Sequence, residues 1–227
     1  MVITLCALLI LAGVVFAATF PGFDPKAVTV SGNRRVARND ILAKAAIAPH
    51  TSIWLQNTGA MARRIATIPY IAAVTVRRIP PATLRIRVAE RVPFAEVRSG
   101  WEAAVVDRSL RVLEPASAET SLPVIVLDEP VELAPGEFIH ARTAAELIAA
   151  SDALTAAQIT PAQLELDRFE GLVVTLPTGL RLMLGSESDL PRKLALVHAI
   201  LSQTVTRGRR VAAIDLRAPS APVLVYR

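Results

Sequence analysis

Apolar and polar residues follow a different pattern in each part of this chain. The first twenty residues are uncharged and mostly apolar, and the first charged side chain is Asp24. At 1.5 Å per residue, a helix of that length spans about 30 Å, the thickness of a bilayer's hydrocarbon core. Pro21 and Gly22 then end the run. The pattern predicts a transmembrane anchor over residues 1–22.

Two other interpretations of this apolar run stay open. A cleaved secretory signal is also apolar, and Val15, Phe16 and Ala17 resemble a small-residue cleavage site. A buried helix of a soluble protein is disfavoured because the run is apolar all round. The positive-inside rule, read literally, leaves the bulk of the protein in the cytoplasm, because the basic residues near the run all follow it. Either the rule fails here or Met1 is not the true start and a charged tail is missing.

Residues 23–92 begin with a strand and two helices. A short alternating segment at residues 28–30 runs into the turn residues Ser-Gly-Asn. Apolar residues at helical spacing predict one helix within VARNDILAKAAI. A second helix is predicted over residues 57–68, with Asn57 or Thr58 as its N-cap.

The period of the pattern changes from 3.6 to two after residue 69. This change predicts strands in IAAVTVRRI and TLRIRVAE, and two adjacent prolines between them belong in the connection because they cannot donate ladder hydrogen bonds. Leu84, Ile86 and Val88 are predicted to share one face of the second strand, and Arg85 and Arg87 the other. These arginines are therefore expected on the solvent face of a hairpin.

Residues 93–227 show mainly short strand patterns. Strands are predicted to start near residues 103, 110, 122 and 162, and a hairpin near residues 172–184 has the turn Pro-Thr-Gly. Helical spacing predicts a helix over residues 142–155 and another that opens at Asp189 and Pro191 and closes at Gly208. Two last strands, about residues 211–217 and 222–226, complete a mixed sheet with helices on it.

The residue types offer no sign of catalysis, a cofactor or a metal. Cys6 is the single cysteine, and the three histidines lie far apart in the sequence without a metal-binding spacing. No hydrolase elbow, zinc-protease motif or glycine-rich phosphate loop is present. The net charge of +5 is dispersed, and six Phe, two Tyr and two Trp are too few to interleave with basic residues as single-strand binders require. The chain is predicted not to be an enzyme and not to bind nucleic acid.

The segment from Ala218 to Tyr226 is the one candidate binding feature in this reading. An incomplete sheet can accept an added strand from a partner, and Val223, Leu224, Val225 and Tyr226 form an uncharged run that favours β structure. A simple edge or core strand, guarded by prolines, explains the same residues. The residues alone leave both interpretations open.

Several stretches resemble the FtsQ/DivIB family of bacterial divisome proteins. They are VTVSGNRRV, IPYIAAVTVRRIPPATLRIRVAERVPFAEV, GLVVTLPTGLRLMLG with the helix that follows, and IDLR. The resemblance covers almost the whole chain. It implies an α+β fold with an N-terminal transmembrane helix, a POTRA domain (β-α-α-β-β) at residues 23–92, and a mixed-sheet β domain with helices at residues 93–227. In one departure, Leu110 replaces the family's usual glycine after Asp107, which indicates a locally altered turn.

The resemblance also implies partners and their contact residues. It places FtsB- and FtsL-like division proteins on the C-terminal strand, and upstream divisome components on the POTRA domain. The residues carried over as partner-binding are Arg168, Ala218, Ser220, Val223, Leu224, Val225 and Tyr226. The large aromatic residue often useful at the position of Ala218 is missing.

The sequence therefore predicts a single-pass inner-membrane protein of the division site, with both folded domains in the periplasm. Its role is that of a scaffold, which binds division proteins and supports assembly of septal peptidoglycan. A POTRA-bearing factor of secretion or outer-membrane assembly, and a secreted cell-wall hydrolase, are the alternatives. The series of alternating ten-residue segments that a transmembrane β-barrel would show is missing from the sequence.

Overall fold

A computed structural model describes residues 2–117, 121–186, 188–206 and 210–226. Internal contacts divide the chain into two compact units, residues 1–92 and residues 93–227. Within the described residues, the first unit holds a three-stranded sheet and the second a nine-stranded sheet. Both units combine helices with a mixed sheet, so the predicted α+β class is confirmed.

The first unit begins with an uncharged helix, α1 (Val2–Thr19), and a single 3₁₀ turn at Pro21–Phe23. None of the helices in the described part of the chain is long and apolar enough to cross a membrane. The elements that follow are β1 (Ala27–Ser31), α2 (Arg38–Ala45), α3 (Thr58–Ile65), β2 (Ile71–Ile79) and β3 (Thr83–Glu90). Their order along the chain is the predicted one. In the sheet β3 lies in the middle, parallel to β1 and antiparallel to β2.

The core of the first unit forms where α2 and α3 cover one face of this sheet. Leu84 and Ile86 are fully buried and Val88 is 4% exposed, as the period of two predicted. Arg85 and Arg87 are exposed on the other face. Burying one such aliphatic side chain contributes about 1.5–3 kcal/mol, so this alternation fixes which face of β3 meets the helices.

The α3 helix begins as predicted but ends early. Asn57 is its N-cap, and its side-chain oxygen accepts a hydrogen bond of 2.9 Å from the backbone N–H of Ala60. The helix ends at Ile65 instead of residue 68. The following Pro69 disfavours helical geometry at the residue before it, and the N–H of Ile68 donates to the carbonyl of Ile65 in a tighter turn.

Two contacts close the segment after β1 onto β3. Gly32 has a φ of 90°, and a Cβ at this position would lie 2.0 Å from the carbonyl oxygen of Val88. Glu90 accepts hydrogen bonds from the backbone N–H groups of Arg34 at 2.8 Å, Arg35 at 2.9 Å and Val36 at 2.9 Å. Burial alone raises the pKa of Glu90, but these three hydrogen bonds outweigh it and hold that pKa below its usual value. These contacts of Gly32 and of residues 34–36 with β3, which we call the clasp, hold the segment after β1 against Val88 and Glu90.

Replacing Glu90 with glutamine is expected to remove a pH-dependent part of the first unit's stability. The folded-state pKa of Glu90 is lowered, so its contribution is fully present above the unfolded pKa of about 4.3 and is lost as the pH falls below it. At pH 7 the loss should be about 1 kcal/mol, because exposed N–H groups regain hydrogen bonds to water. Urea unfolding followed by Trp54 fluorescence, in a Trp101→Phe background, measures it between pH 3 and pH 7. Identical pH slopes for Glu90→Gln and its parent would contradict this role.

The second unit carries one large mixed sheet. Its helices are α4 (Arg142–Ala156) and α5 (Leu190–Thr206). Its strands are β4 (Ala95–Ser99), β5 (Glu102–Val106), β6 (Val112–Pro115), β7 (Val124–Leu127), β8 (Gln163–Leu166), β9 (Leu172–Thr175), β10 (Arg181–Gly185), β11 (Val211–Asp215) and β12 (Val223–Tyr226). The sheet order is β12-β11-β10-β9-β8-β7-β4-β5-β6. Helix α4 packs on β7 and β8, and the buried core lies between the helices and the sheet.

One central strand, β4, was not predicted. It lies between β5, to which it is antiparallel, and β7, to which it is parallel. Its sequence AEVRS places two charged residues in five, which hides it from a search for apolar runs. The structure accommodates them because Glu96, only 4% exposed, accepts a hydrogen bond of 2.6 Å from Arg98.

Helix α5 fits the predicted apolar face. Leu190, Leu194 and Val197 are buried in the core of the second unit. The side chain of Lys193, only 2% exposed, donates to the carbonyls of Leu184 at 2.8 Å and Ser186 at 2.7 Å, and so ties α5 to the end of β10. The predicted stop at Gly208 lies outside the described residues.

The turn at Asp107 is built in the same way as the turn at Asp167. In each, the side-chain oxygen Oδ1 of the aspartate accepts from the N–H groups two and four residues later, at 2.9–3.0 Å after Asp107 and 2.8–2.9 Å after Asp167. The residue three positions after each aspartate is left-handed, with φ 63° at Leu110 and 59° at Glu170. Leu110 thus adopts a backbone conformation that glycine favours, and β6 begins only at residue 112.

A candidate partner-binding sheet edge

Strand β12 is the last strand of the nine-stranded sheet. It pairs antiparallel with β11, with Leu224 opposite Ile214 and Val223 opposite Asp215. Because β12 stands at the end of the order, only one of its edges meets another strand in the described part of the chain. A strand edge of this kind presents main-chain donors and acceptors to a partner.

The opposite end of the sheet, at β6, is covered. The N–H of Val112 donates to the carbonyl of Glu137 at 2.9 Å, and the carbonyl of Val112 accepts from the N–H of Gly136 at 2.8 Å. A further bridge joins Arg111 to Phe138. These contacts occupy the outer side of β6, and Pro115 ends it. Among the described residues of the second unit, the two edges therefore differ, because the outer side of β6 is paired and that of β12 is not.

The side chains of β12 are unusually apolar for an edge. Val223 is 58% exposed, Val225 49% and Tyr226 43%, whereas Leu224 is half-buried against the core of the second unit. Because side chains alternate along a strand, Val223 and Val225 lie on the sheet face opposite to Leu224. Edge strands are commonly protected by charges, and β12 has none in its four residues.

Two of the residues carried over from the family lie before the strand, and their role as partner contacts stays a prediction. Ala218 and Ser220 lie in the turn between β11 and β12, where the N–H of Ala221 donates to the carbonyl of Ala218 at 3.0 Å. Pro219 lies within this turn and Pro222 follows it, and neither can donate a ladder hydrogen bond. The strand is therefore limited to Val223–Tyr226.

Arg168 lies in the turn between β8 and β9, three strands away from β12. Its guanidinium carbon is 4.8 Å from the centre of the Phe169 ring, and both side chains are exposed. At about 4.8 Å per strand, β9 and β12 are about 14 Å apart. Arg168 thus lies well away from the edge of β12.

The turn that holds Arg168 and the start of β12 nevertheless share one end of the sheet. In the register, Leu172 lies opposite Gly185, and Met183 lies opposite Asp215, so the intervening strands bring these ends together. Asp215 and Arg217 occupy the space between. Arg217 donates to Oδ1 of Asp215 at 3.0 Å and to Oδ2 at 2.6 Å, and these hydrogen bonds lower the pKa of Asp215.

A recess of about 240 Å³ lies beside Arg168 at this end of the sheet. It is lined by Val126, Leu127, Asp128, Glu129, Thr143, Leu147, Leu166, Asp167, Arg168 and Glu170. Its floor is apolar and its rim carries carboxylates. A recess of this kind can accommodate an apolar or basic side chain. No group of three metal-ligating side chains is found in the described part of the chain. The sequence pattern did not single out the exposed Phe169, although an aromatic residue in the turn DRFEG is a visible signal.

Comparison with known proteins agrees with this architecture. Residues 23–91 match the family model of the FtsQ-type POTRA domain, and residues 95–217 match that of the cell division protein FtsQ/DivIB C-terminal domain. The second match includes Arg168 and ends before β12.

Several relatives are named cell division protein FtsQ. One from Mycolicibacterium smegmatis is 27% identical over 204 residues, 90% of this chain and 58% of the relative. One from Rhizobium meliloti is 26% identical over 203 residues, 88% of this chain and 62% of the relative. One from Syntrophotalea carbinolica is 40% identical over 100 residues, 40% of this chain and 36% of the relative. The chain spans about three fifths of the length of the first two relatives. Because the C-terminal family model covers more than half of its residues, the chain belongs to the FtsQ/DivIB family of cell division proteins.

Proposed function

We propose that this chain is a division-site scaffold whose second unit holds a partner by adding a strand to β12. The FtsQ/DivIB family is non-enzymatic, so the function is one of binding. The open edge of β12 is the observation that carries the proposal. Main-chain hydrogen bonds along Val223–Tyr226 would provide affinity, and the exposed Val223 and Val225 would select apolar side chains of the partner.

The partners in this proposal are FtsB- and FtsL-like division proteins on β12, and upstream divisome components on the first unit. Because β12 and Arg168 lie about 14 Å apart, the partner in this proposal has two contact segments. A strand segment lies along β12, and a second segment crosses the end of the sheet toward Arg168 and Phe169. Arg168 is exposed beside a recess rimmed by carboxylates, so the second segment is expected to carry both charges.

The proposal includes attachment to the inner membrane through α1, with both units in the periplasm. Helix α1 contains no charged residue, and its described large apolar side chains are more than half exposed, from Val15 at 52% to Ile3 at 86%. Aromatic rings follow its end, where Phe20 lies 5.4 Å from Phe23 and Phe23 lies 6.4 Å from Trp54. Aromatic residues of this kind are typical of membrane interfaces.

The match of residues 95–217 to the FtsQ/DivIB C-terminal domain favours this function over the two alternatives. A factor of outer-membrane assembly or secretion shares only the POTRA unit. A cell-wall hydrolase needs catalytic groups, whereas Asp107 and Asp167 each accept turn hydrogen bonds through Oδ1 and Asp215 is paired with Arg217.

Co-purification of the full chain with the periplasmic segments of FtsB- and FtsL-like proteins tests the proposal. We expect a stable complex whose formation requires β12. Failure of both proteins to bind, singly or together, would contradict the scaffold role.

A further inference from the structure

The exposed face of the three-stranded sheet carries a cluster of basic and hydroxyl side chains, which we call the basic face. Its members are Thr29, Ser31, Thr75, Arg77, Arg85 and Arg87. The register places Thr29 and Arg77 on either side of Arg85, and Ser31 and Thr75 on either side of Arg87. The helices of the unit cover the other face, so these six side chains point away from the core.

Three arginine side chains of the basic face line one pocket, and no carboxylate among the described residues neutralises their charges. Thr75, Arg77, Arg85 and Arg87 line a common pocket of about 90 Å³. Arg77 and Arg85 lie directly opposite each other on antiparallel strands, an arrangement that is destabilising for like charges. The sheet thus holds two guanidinium groups together at a cost that a bound anion would relieve.

No carboxylate of the three strands faces this pocket. Glu90 is the only acidic residue in β1, β2 and β3, and its oxygens are bound by the backbone N–H groups of residues 34–36. In the second unit, by contrast, exposed arginines such as Arg108 and Arg217 are paired with aspartates at 2.7 and 2.6 Å. Arg77, Arg85 and Arg87 form no ion pair with the described residues.

The geometry points to an oxyanion of the phosphate type as the ligand. The planar guanidinium fork matches phosphate oxygens in pairs, and three hydroxyl groups on the same face can donate to the remaining oxygens. The pocket is small, so it fits one tetrahedral group better than an extended row of carboxylates. The face has no aromatic residue on which a nucleic-acid base could stack.

We propose that the basic face binds a phosphate-type oxyanion, supplied either by a lipid headgroup or by free phosphate. This inference does not depend on the partner strand at β12. Helix α1 ends seven residues before Lys26, whose N–H donates to the carbonyl of Ala82, three residues from Arg85. Arg77 and Arg85 therefore lie near the end of the sheet at which the chain enters from the apolar helix.

The test uses the full chain in neutral detergent, with NMR signals of the arginine Nε–H groups as the readout. Titration with inorganic phosphate is expected to shift the signals of Arg77, Arg85 and Arg87, and to leave that of Arg63 unchanged. Arg63 is the matched control, because it is also exposed but lies on α3, on the helix side of the sheet. The double variant Arg85→Gln/Arg87→Gln should weaken phosphate binding at least tenfold, whereas Arg63→Gln should not.

Two further arms identify the source of the oxyanion and the competing ligand class. In nanodiscs kept in a buffer without inorganic phosphate, shifts with phosphatidylglycerol but not with phosphatidylcholine alone assign the site to lipid headgroups. The absence of such shifts assigns it to free phosphate. The proposal is overturned if phosphate shifts all four arginines alike, if it shifts none of them, or if a tetraglutamate peptide binds the basic face more tightly than phosphate. The last result would indicate an acidic protein segment as the ligand.

Discussion

Replacing both Val223 and Val225 with aspartate is expected to lower the affinity for the partner proteins at least a hundredfold. Both side chains are about half exposed in the free protein, so carboxylates are solvated there and the second unit stays folded. When a partner strand covers β12, the same carboxylates lose water without gaining a cation. Leaving charged groups buried and unpaired costs several kcal/mol, and about 2.7 kcal/mol already corresponds to a hundredfold change.

The matched control for this double variant is Val92→Asp. Val92 is 77% exposed and lies outside the strands, so the same substitution adds a charge without touching the sheet edge. Its affinity for the partners is expected to equal that of the parent. Titration calorimetry with the purified partner segments measures all three proteins. If the double variant binds as the parent does, β12 is not the docking edge.

Replacing Gly32 with alanine is expected to destabilise the first unit by about 2–5 kcal/mol. The left-handed backbone at this position costs an L-residue about 1–2 kcal/mol. In addition, the new Cβ would lie 2.0 Å from the carbonyl oxygen of Val88, so the turn or β3 has to move. Displacing packed backbone costs about 1–3 kcal/mol more and disturbs the clasp at Glu90.

Gly100→Ala separates the two costs. Gly100 also has a positive φ, 59°, but a Cβ there meets no atom within 4 Å. This variant should lose only about 1–2 kcal/mol, from the second unit. Hydrogen exchange of core amides in increasing urea, read at Ile86 for the first unit and at Val97 for the second, compares the two losses. If both glycine variants lost the same free energy of unfolding, the contact of the new Cβ with Val88 would add no cost at Gly32.

The sequence predicts the first unit well because one period dominates each of its elements. Strand β3 alternates strictly, and the side chains of Leu84 and Ile86 are buried as expected. The cap at Asn57 follows from local chemistry that acts within four residues. The clasp of Glu90 with residues 34–36 could not be predicted from pattern alone, because it joins residues more than fifty positions apart.

The second unit is less predictable since its sheet order depends on long connections. Strand β4 is buried between two strands in spite of Glu96 and Arg98, so its pairing overrides its composition. The parallel pairing of β10 with β11 across α5 brings Asp215 level with Met183. No local pattern indicates that β10 and β11 pair in parallel. This pairing places the start of β12 at the same end of the sheet as Arg168.

The candidate site shows the same division. The apolar run Val223–Tyr226 predicts a strand from its residue types, and the structure contains that strand. Whether such a strand is central or at an edge depends on the neighbours available in the fold. The position of β12 at the end of the sheet, and the cover over β6, are properties of the tertiary structure that residue types do not specify.

Hydrogen exchange of the backbone amides, with and without bound partner segments, tests the central claim most directly. Strand addition predicts slower exchange within Val223–Tyr226 when the partner binds, together with slower exchange near Arg168. The covered edge strand β6 serves as the internal reference, and its exchange should not change. Protection that appears elsewhere on the second unit while β12 exchanges at its free rate would contradict the account.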